Sequence, residues 1–224
     1  MSNETILLYK YVPVDDYLED ILRNQRLYLN DGSNLNDPFE LTIFNRTENK
    51  LISEDCLHIL CLTNSYRNKL MWSHYADSHK GVCLTIRVPK ELVYPICYTS
   101  KRVYDNSDLN DILVLKNQKI KKNLIVDYSQ LSKDKQIAFI KDKKWSYERE
   151  YRITFNSTDT CNLIQKKEEN WYLKVEIEKI YLGANFLKNK KSYQSKIIEI
   201  CEQNGITIKP MKLSNINYSV EVQK

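Results

Sequence analysis

The order of strand-like and helix-like segments constrains the fold of this chain more than any other feature. Short apolar or alternating runs typical of β-strands, beginning with Ile6–Val12, are interspersed with amphipathic segments typical of helices. We predict about eight or nine strands and four or five helices, in neither strict βαβ alternation nor a repeat. This order favours the α+β class, with mixed and mostly antiparallel sheets.

The chain shows no boundary between domains. No segment between the predicted elements is long enough, or rich enough in Pro, Gly or Ser, to be an interdomain linker. A domain of 224 residues buries a core large enough to be stable without metals or disulfides. We therefore predict one domain spanning residues 1–224, with a helical insert at about residues 105–144 made of two basic amphipathic helices.

Hydrophobicity and cysteine placement bear on the compartment. No apolar run approaches the ~20 residues that span a bilayer, and the opening MSNETILLYKY lacks the layout of a signal peptide. The six Cys lie inside apolar runs such as LHILCLT, as reduced core thiols do. The sequence therefore predicts a cytoplasmic protein without a membrane partner.

Positive charge is concentrated in one stretch. The net charge is +5, and Lys116–Lys144 contains nine Lys and three Asp, a surplus of six positive charges. One interpretation is a solvated, Lys-rich helical face. The other is a patch that faces phosphates of a nucleotide or a nucleic acid, or that docks a protein acceptor.

Several kinds of site are disfavoured by the motifs. The three His and six Cys show neither CxxC nor HExxH spacing, so no metal site is predicted. The chain has four Gly and no GxGxxG, Walker or GxSxG sequence. Dinucleotide binding of the Rossmann type, P-loop chemistry and the α/β-hydrolase nucleophile are therefore disfavoured.

Two segments carry polar or aromatic side chains that a core does not require. On the strand LYKY, Lys10 faces opposite to its Tyr neighbours, so it either reaches solvent or meets an anion. In MWSHYADSHKG, a short helix directs aromatic side chains to more than one side. Core packing explains Met71 and Trp72, whereas contact with a ligand explains His74 and Tyr75 equally well.

A third segment, WSYEREYRITF, places two carboxylates close together. In an extended strand Glu148, Glu150 and Arg152 share one face, with the carboxylates about 7 Å apart. Like charges at that distance resist burial unless a cation or a ligand compensates them. The segment is either an exposed strand on which Arg152 pairs with Glu150, or the carboxylate wall of a cleft.

The loop LNDPFE has a different role. Asn36 and Asp37 precede Pro38, which holds the backbone before it extended. We expect Asp37 to cap a helix or to support the wall of a cleft, not to take part in chemistry.

These segments together resemble a family. LYKY, LNDPFE, MWSHYADSHKGVCL, WSYEREYRI and IEKIYLG are similar to domain of unknown function 2971, a family of mostly bacterial proteins. The layout in turn resembles the ADP-ribosyltransferase superfamily, whose mixed split sheet binds NAD in a cleft. The resemblance implies an NAD-dependent ADP-ribosyltransferase or NAD glycohydrolase that takes NAD as substrate, in the setting of a bacterial toxin or phage-defence effector.

The resemblance also implies roles for particular residues. Lys10 takes the position of a His or Arg on the opening strand, Tyr75 that of the aromatic residue stacked on nicotinamide, and Glu150 or Glu148 that of the late catalytic Glu. We also predict His74 as a catalytic residue and Tyr11, Trp72, Arg152 and Asn36 as cofactor-binding residues.

Two other functions fit the residues. A nucleic-acid-binding or nucleic-acid-processing protein would place Lys116–Lys144 along phosphates and stack bases on Tyr or Trp. Its carboxylates, Asp37, Glu40, Glu148 and Glu150, would then gather Mg²⁺. A non-catalytic module that senses a nucleotide is the third possibility.

Overall fold

The computed structural model describes residues 4–53, 57–104, 128 and 131–223, except for the side chains of residues 133 and 134. The helices within these residues are α1 (Asp16–Asn24), α2 (Lys69–Tyr75), α3 (Lys133–Ile137) and α4 (Lys191–Gln203). The strands are β1 (Thr5–Val12), β2 (Arg26–Tyr28), β3 (Asn30–Asp31), β4 (Thr42–Asn45), β5 (Lys50–Ser53), β6 (His58–Thr63), β7 (Val82–Pro89), β8 (Tyr94–Pro95), β9 (Cys97–Thr99), β10 (Val103–Tyr104), β11 (Ile140–Asp142), β12 (Glu150–Phe155), β13 (Ile164–Lys167), β14 (Asn170–Lys174), β15 (Glu176–Leu182), β16 (Thr207–Leu213) and β17 (Val220–Val222). The predicted α+β class with mostly antiparallel sheets is confirmed.

The chain forms two compact units, each assembled from separate segments. The first unit contains residues 1–28, 61–92 and 161–224, and the second contains residues 29–60 and 93–160. The chain therefore passes between the units four times, the second time within β6. The prediction of one domain over residues 1–224 stays a prediction.

The opening strand, β1, belongs to the sheet of the first unit. β1 pairs antiparallel with β7 along its whole length, from Thr5 opposite Pro89 to Val12 opposite Val82. β7 pairs antiparallel with β15, and β16 then adds parallel to β15 and antiparallel to β17. A separate antiparallel ribbon joins β2, β14 and β13.

Local sequence fixes the ends of the two longest helices. The Asp15 carboxylate accepts a hydrogen bond from the Leu18 amide at 3.0 Å, which satisfies a free N–H at the start of α1. At the end of α4, Gly205 has φ +67°. The Ile206 amide there donates to the Cys201 carbonyl at 2.8 Å. This left-handed conformation favours glycine, so Gly205 ends the helix.

The second unit has smaller sheets and a core rich in aromatic residues. β3 pairs with β6, β8 with β12 and β5 with β4, all antiparallel, while β10 runs parallel to β4 and β11 parallel to β9. The core contains Ile43, Ile96, Tyr104, Tyr128, Ile137 and Phe139.

The structure corrects two predicted elements. The second basic helix, expected over residues 130–143, is only α3, because the chain continues through two turn residues into β11. Residues 136–141 are all buried, which a helix with one apolar face cannot achieve. The strand expected from residue 145 begins only at Glu150, since residues 143–148 form a 3-10 helix that ends at Arg149 with φ 47°. The first basic helix lies outside the described residues.

Two other expectations concern cysteines and helices. Cys61, Cys83, Cys97, Cys161 and Cys201 form no disulfides, and Cys56 lies outside the described residues. Among the described residues, none of the helices combines the length and the hydrophobicity needed to cross a bilayer.

Candidate functional site

Five charged side chains are buried together in the second unit. This charge cluster consists of Glu40, Lys141, Glu148, Glu150 and Arg152. None of the five is more than 7% exposed. Charged residues are seldom buried so completely unless each is paired, and these are paired with one another.

Lys141 holds the three carboxylates together. Its ammonium nitrogen donates to Glu148 Oε2 at 2.6 Å and to Glu150 Oε2 at 2.9 Å. Glu40 Oε1 lies 3.0 Å from the same nitrogen. Burial alone would lower the pKa of Lys141, but the carboxylates of Glu150, Glu40 and Glu148 outweigh burial and raise it. Lys141 is therefore charged at neutral pH.

Arg152 is the second cation of the charge cluster and has no exposed surface. Its Nε donates to Glu150 Oε1 at 2.6 Å, its Nη1 to the Ala138 carbonyl at 2.7 Å, and its Nη2 to Glu40 Oε2. Glu150 is thus held by both cations, because its other oxygen binds Lys141. The exposed-strand interpretation of this segment is wrong: the face that carries Glu150 and Arg152 is buried.

Short turns bring these side chains to one place. Asp37 Oδ1 accepts from the Phe39 amide, and the Asp37 carbonyl accepts from the Glu40 amide, both at 3.0 Å. Asp37 therefore shapes the turn that presents Glu40, although it caps no α-helix. On the other side, the left-handed residue Arg149 separates Glu148 from Glu150.

The backbone at Glu150 is fixed from a neighbouring strand. The Glu150 amide donates to the Tyr98 hydroxyl at 2.8 Å. Burial and the Glu150 carboxylate raise the pKa of Tyr98, and burial and the Glu148 carboxylate raise the pKa of Tyr147. Burial is the largest cause for both phenols, and the carboxylates of the charge cluster add to it.

A cleft of about 210 Å³ in the same unit adjoins the charge cluster, because Lys141 lines it. The ring of Phe39, which is 60% exposed, forms part of the lining. The Arg102 guanidinium carbon lies 4.9 Å from the centroid of that ring, and Arg102 Nη2 donates to Thr42 Oγ1 at 2.9 Å. With Lys101 beside it, Arg102 makes one wall of the cleft cationic.

Three residues that the resemblance assigns to the cofactor have other partners in the first unit. Lys10 Nζ donates to the Cys61 carbonyl at 3.0 Å, and the Tyr11 hydroxyl donates to the Ser65 carbonyl at 2.9 Å. Trp72 has no exposed surface, and its indole N–H donates to the Tyr66 carbonyl at 2.9 Å. Trp72 is therefore a core residue, as the packing interpretation of its helix proposed.

The other predicted site residues are divided between the units. His74 is exposed and Tyr75 half-buried, with ring centroids 6.4 Å apart on α2 of the first unit. Asn36 is exposed in the second unit, in the loop before Asp37. The structure brings Glu148, Glu150 and Arg152 together. The shared cleft of Glu148 and Glu150 with Lys10, His74 and Tyr75 stays a prediction.

Sequence reasoning missed Lys141 and found Glu40 only as a candidate metal ligand. Lys141 belongs to the Lys-rich stretch that was interpreted as a solvated or phosphate-facing surface, yet it is 5% exposed. One signal was available, since Lys141 directly follows the apolar run IAFI. Lys135, from the same stretch, is paired with Asp159.

The carboxylates do not form the magnesium site considered above. Among the described residues, no group of three or more His, Cys, Asp and Glu side chains is arranged to hold a metal ion. The physical reason lies in the charge cluster, where Lys141 and Arg152 supply the positive charge between the carboxylates.

The comparison with protein families gives a match over a stretch of the chain that includes part of this site. Residues 71–153 match the model of a family described as protein of unknown function (DUF2971). This part of the chain is similar to that family. The match includes α2 from Met71 onward and four members of the charge cluster, Lys141, Glu148, Glu150 and Arg152, but not Glu40. No curated protein and no solved structure matches the chain.

Proposed function

We propose that this chain binds NAD and breaks the bond between nicotinamide and ribose, releasing ADP-ribose to water or to an acceptor. One observation carries the proposal: the buried charge cluster has three carboxylates against two cations, and it adjoins a cleft. The resemblance to the ADP-ribosyltransferase superfamily supports it, because both carboxylates of the YERE segment belong to the cluster.

The charge of the reacting group fits this arrangement. When the C1′–N bond breaks, its electron pair moves to the nicotinamide nitrogen and leaves positive charge on the ribose. Fixed negative charge nearby stabilises that oxocarbenium-like state. Water or an acceptor nucleophile then adds to C1′ and loses a proton. The cationic wall of Lys101 and Arg102 suits the diphosphate, and the exposed Phe39 ring offers a stacking surface.

The test is the release of nicotinamide from NAD, with candidate protein, DNA and RNA acceptors present. Glu148→Gln and Glu150→Gln keep the shape of each side chain but remove its charge, so each should slow release by ~10²-fold or more. Glu202→Gln, an exposed position on α4, is the matched control and should leave the rate unchanged.

Melting curves separate catalysis from folding. Glu150→Gln removes a partner from both cations and is expected to lower the melting temperature, so Glu148→Gln is the sharper of the two variants. The proposal fails if wild-type protein releases no nicotinamide with any acceptor. It also fails if folded Glu148→Gln releases nicotinamide at the wild-type rate.

A second candidate function is binding of single-stranded nucleic acid along the same cleft. The observation that favours it is the exposed Phe39 ring next to Lys101 and Arg102, since bases stack on aromatic rings while cations contact phosphates. Oligonucleotide binding that weakens steeply with salt and is lost in Lys101→Gln/Arg102→Gln would support it. Binding unaffected by that double change would exclude it.

A further inference from the structure

A second cavity lies in the first unit, and no residue of the charge cluster or of the cleft beside it lines this cavity. It measures about 290 Å³ and lies between α2 with its following turn and the loop that joins β16 to β17. This volume is at the lower end of the range of roughly 300–1,000 Å³ found for small-molecule sites. It therefore suits a ligand of moderate size.

Several of the side chains that line this cavity are cationic or polar. Lys69 lines it, and no carboxylate does so among the residues that the structure describes. Lys69 makes no ion pair with the described residues; its ammonium lies 5.4 Å from the centroid of the Tyr218 ring. Ser73, Ser214 and Asn217 add hydroxyl and amide groups. Such a lining attracts an anion that also accepts hydrogen bonds.

His79 is one of the polar residues that line the cavity. Its Nε2 lies 3.3 Å from Ser73 Oγ, and Ser73 Oγ donates to the Lys69 carbonyl at 3.0 Å. The Nδ1 atom is buried and has no hydrogen-bond partner within the part of the chain that the structure describes. Burial lowers the pKa of His79, so the ring is neutral at pH 7. A negatively charged ligand beside it would raise that pKa again.

The loop that joins β16 to β17 adds an aromatic platform to the lining of the cavity. Tyr218 is 94% exposed and lies in a loop closed by the hydrogen bond from the Ser214 amide to the Ser219 carbonyl at 3.0 Å. The Ser219 hydroxyl also donates to Asn217 Oδ1 within the loop. The ring is thus held by a structured turn, with the Lys69 ammonium over one face and the other face open to a planar partner. Leu70 and Leu213 extend the apolar surface next to it.

We infer that this cavity binds a nucleoside monophosphate, with the base stacked on Tyr218 and the phosphate bound by Lys69. A planar ring joined to a phosphate matches an aromatic platform that lies near the Lys69 ammonium and several hydroxyls. Neither the base alone nor the phosphate alone would contact both the Tyr218 ring and the Lys69 ammonium. The site is independent of the charge cluster and of the cleft that Lys101 and Arg102 line, so it stands whether or not NAD is a substrate.

Calorimetric titration with AMP tests the inference, with adenosine and inorganic phosphate as separate arms. AMP should bind, and each fragment should bind at least tenfold more weakly. Lys69→Gln and Tyr218→Ala should each weaken AMP binding about tenfold, because one removes the charge and the other the stacking surface. Both side chains are exposed, so these variants keep the fold.

Matched variants make the result specific. Tyr218→Phe keeps the ring and should bind AMP as wild type does, as should Lys167→Gln, which removes an exposed Lys from β13. Arg102→Gln, in the other cleft, should also leave AMP binding unchanged. AMP that does not bind, or that binds Lys69→Gln and Tyr218→Ala as tightly as wild type, overturns the inference.

A spectroscopic readout locates the ligand directly. The chain has three His, and their C2 protons can be assigned with single His→Gln variants. AMP should shift the His79 signal and leave that of His58, in the second unit, in place. A shift confined to His58 would contradict the proposed location.

Discussion

At the scale of single residues, Lys141 has the largest expected effect on stability. It is 5% exposed and contacts three carboxylates, so its removal leaves them buried with Arg152 as their only cation in the charge cluster. Breaking a buried pair in this way typically costs about 3–5 kcal/mol. Lys141→Gln should lower the free energy of unfolding by that amount, measured by urea denaturation at pH 7.

The pH dependence provides a control. In Lys141→Gln the uncompensated carboxylates take up protons more readily, so the loss of stability should shrink as the pH falls towards about 5. In wild type the pKa of Lys141 is raised above its unfolded value, so its contribution persists at neutral pH and is lost only above about pH 10. Lys143→Gln, at an exposed neighbour, should change nothing. Equal effects at positions 141 and 143 would contradict the importance of the charge cluster.

The sequence predicted part of this site. The sequence indicated that Glu148, Glu150 and Arg152 lie close together, and they do. The shared strand face from which this was argued is wrong for Glu148, which lies in a 3-10 helix before β12. Glu40 and Lys141 did not follow from local spacing, because Glu40 lies 112 residues from Arg152 and only the tertiary fold brings them together. A lysine in a basic stretch is normally solvated, which concealed Lys141.

At the scale of secondary structure elements, two glycines at element ends should respond differently to substitution. A Cβ atom on Gly183, which follows β15, would lie 2.1 Å from the His79 carbonyl oxygen. A Cβ on Gly205, at the end of α4, meets nothing within 4 Å, and only its φ of +67° is unfavourable for alanine. Gly205→Ala should therefore cost about 1 kcal/mol.

Gly183→Ala should cost clearly more, because the clash is with backbone atoms that cannot rotate away. Urea denaturation of both variants measures the difference. Equal destabilisation would mean that the turn around His79 moves freely.

The opening strand was predicted well, and the segment around residues 136–141 was not. β1 was expected over Ile6–Val12 and spans Thr5–Val12. Residues 136–141 are buried without interruption, including the polar Gln136 and Lys141, so burial there does not follow the polarity of the sequence. The helix–strand change near Ile140 was hidden for that reason.

At the scale of the whole molecule, the reactivity of the cysteines can be measured in both units, because each unit contains a buried cysteine. Cys83, Cys97 and Cys201 are buried, whereas Cys61 and Cys161 are half-buried. Burial raises the pKa of the Cys83 thiol, and burial with Glu202 raises that of Cys201 to about 12. The thiolate is the reactive form, so these thiols should be inert in the native protein.

Titration with a disulfide reagent at pH 8 checks this expectation. At most three of the six thiols should react in native protein, and all six should react in guanidinium chloride. Fast reaction of Cys201 in native protein, identified by mass spectrometry, would show that α4 opens readily. A Cys201→Ser variant identifies its contribution.

The four passages of the chain between the units have a consequence for synthesis on the ribosome. The second unit is complete once residue 160 has emerged, whereas the first still lacks residues 161–224, including β15 and α4. At roughly 5–20 residues per second, several seconds pass before those residues follow. During that time β1 and β7 have paired at most with each other and with β6, and the β7 edge that β15 will occupy is unsatisfied. The nascent chain thus exposes an open strand edge after its buried carboxylates have come together, and such an edge can pair with another chain until β15 occupies it.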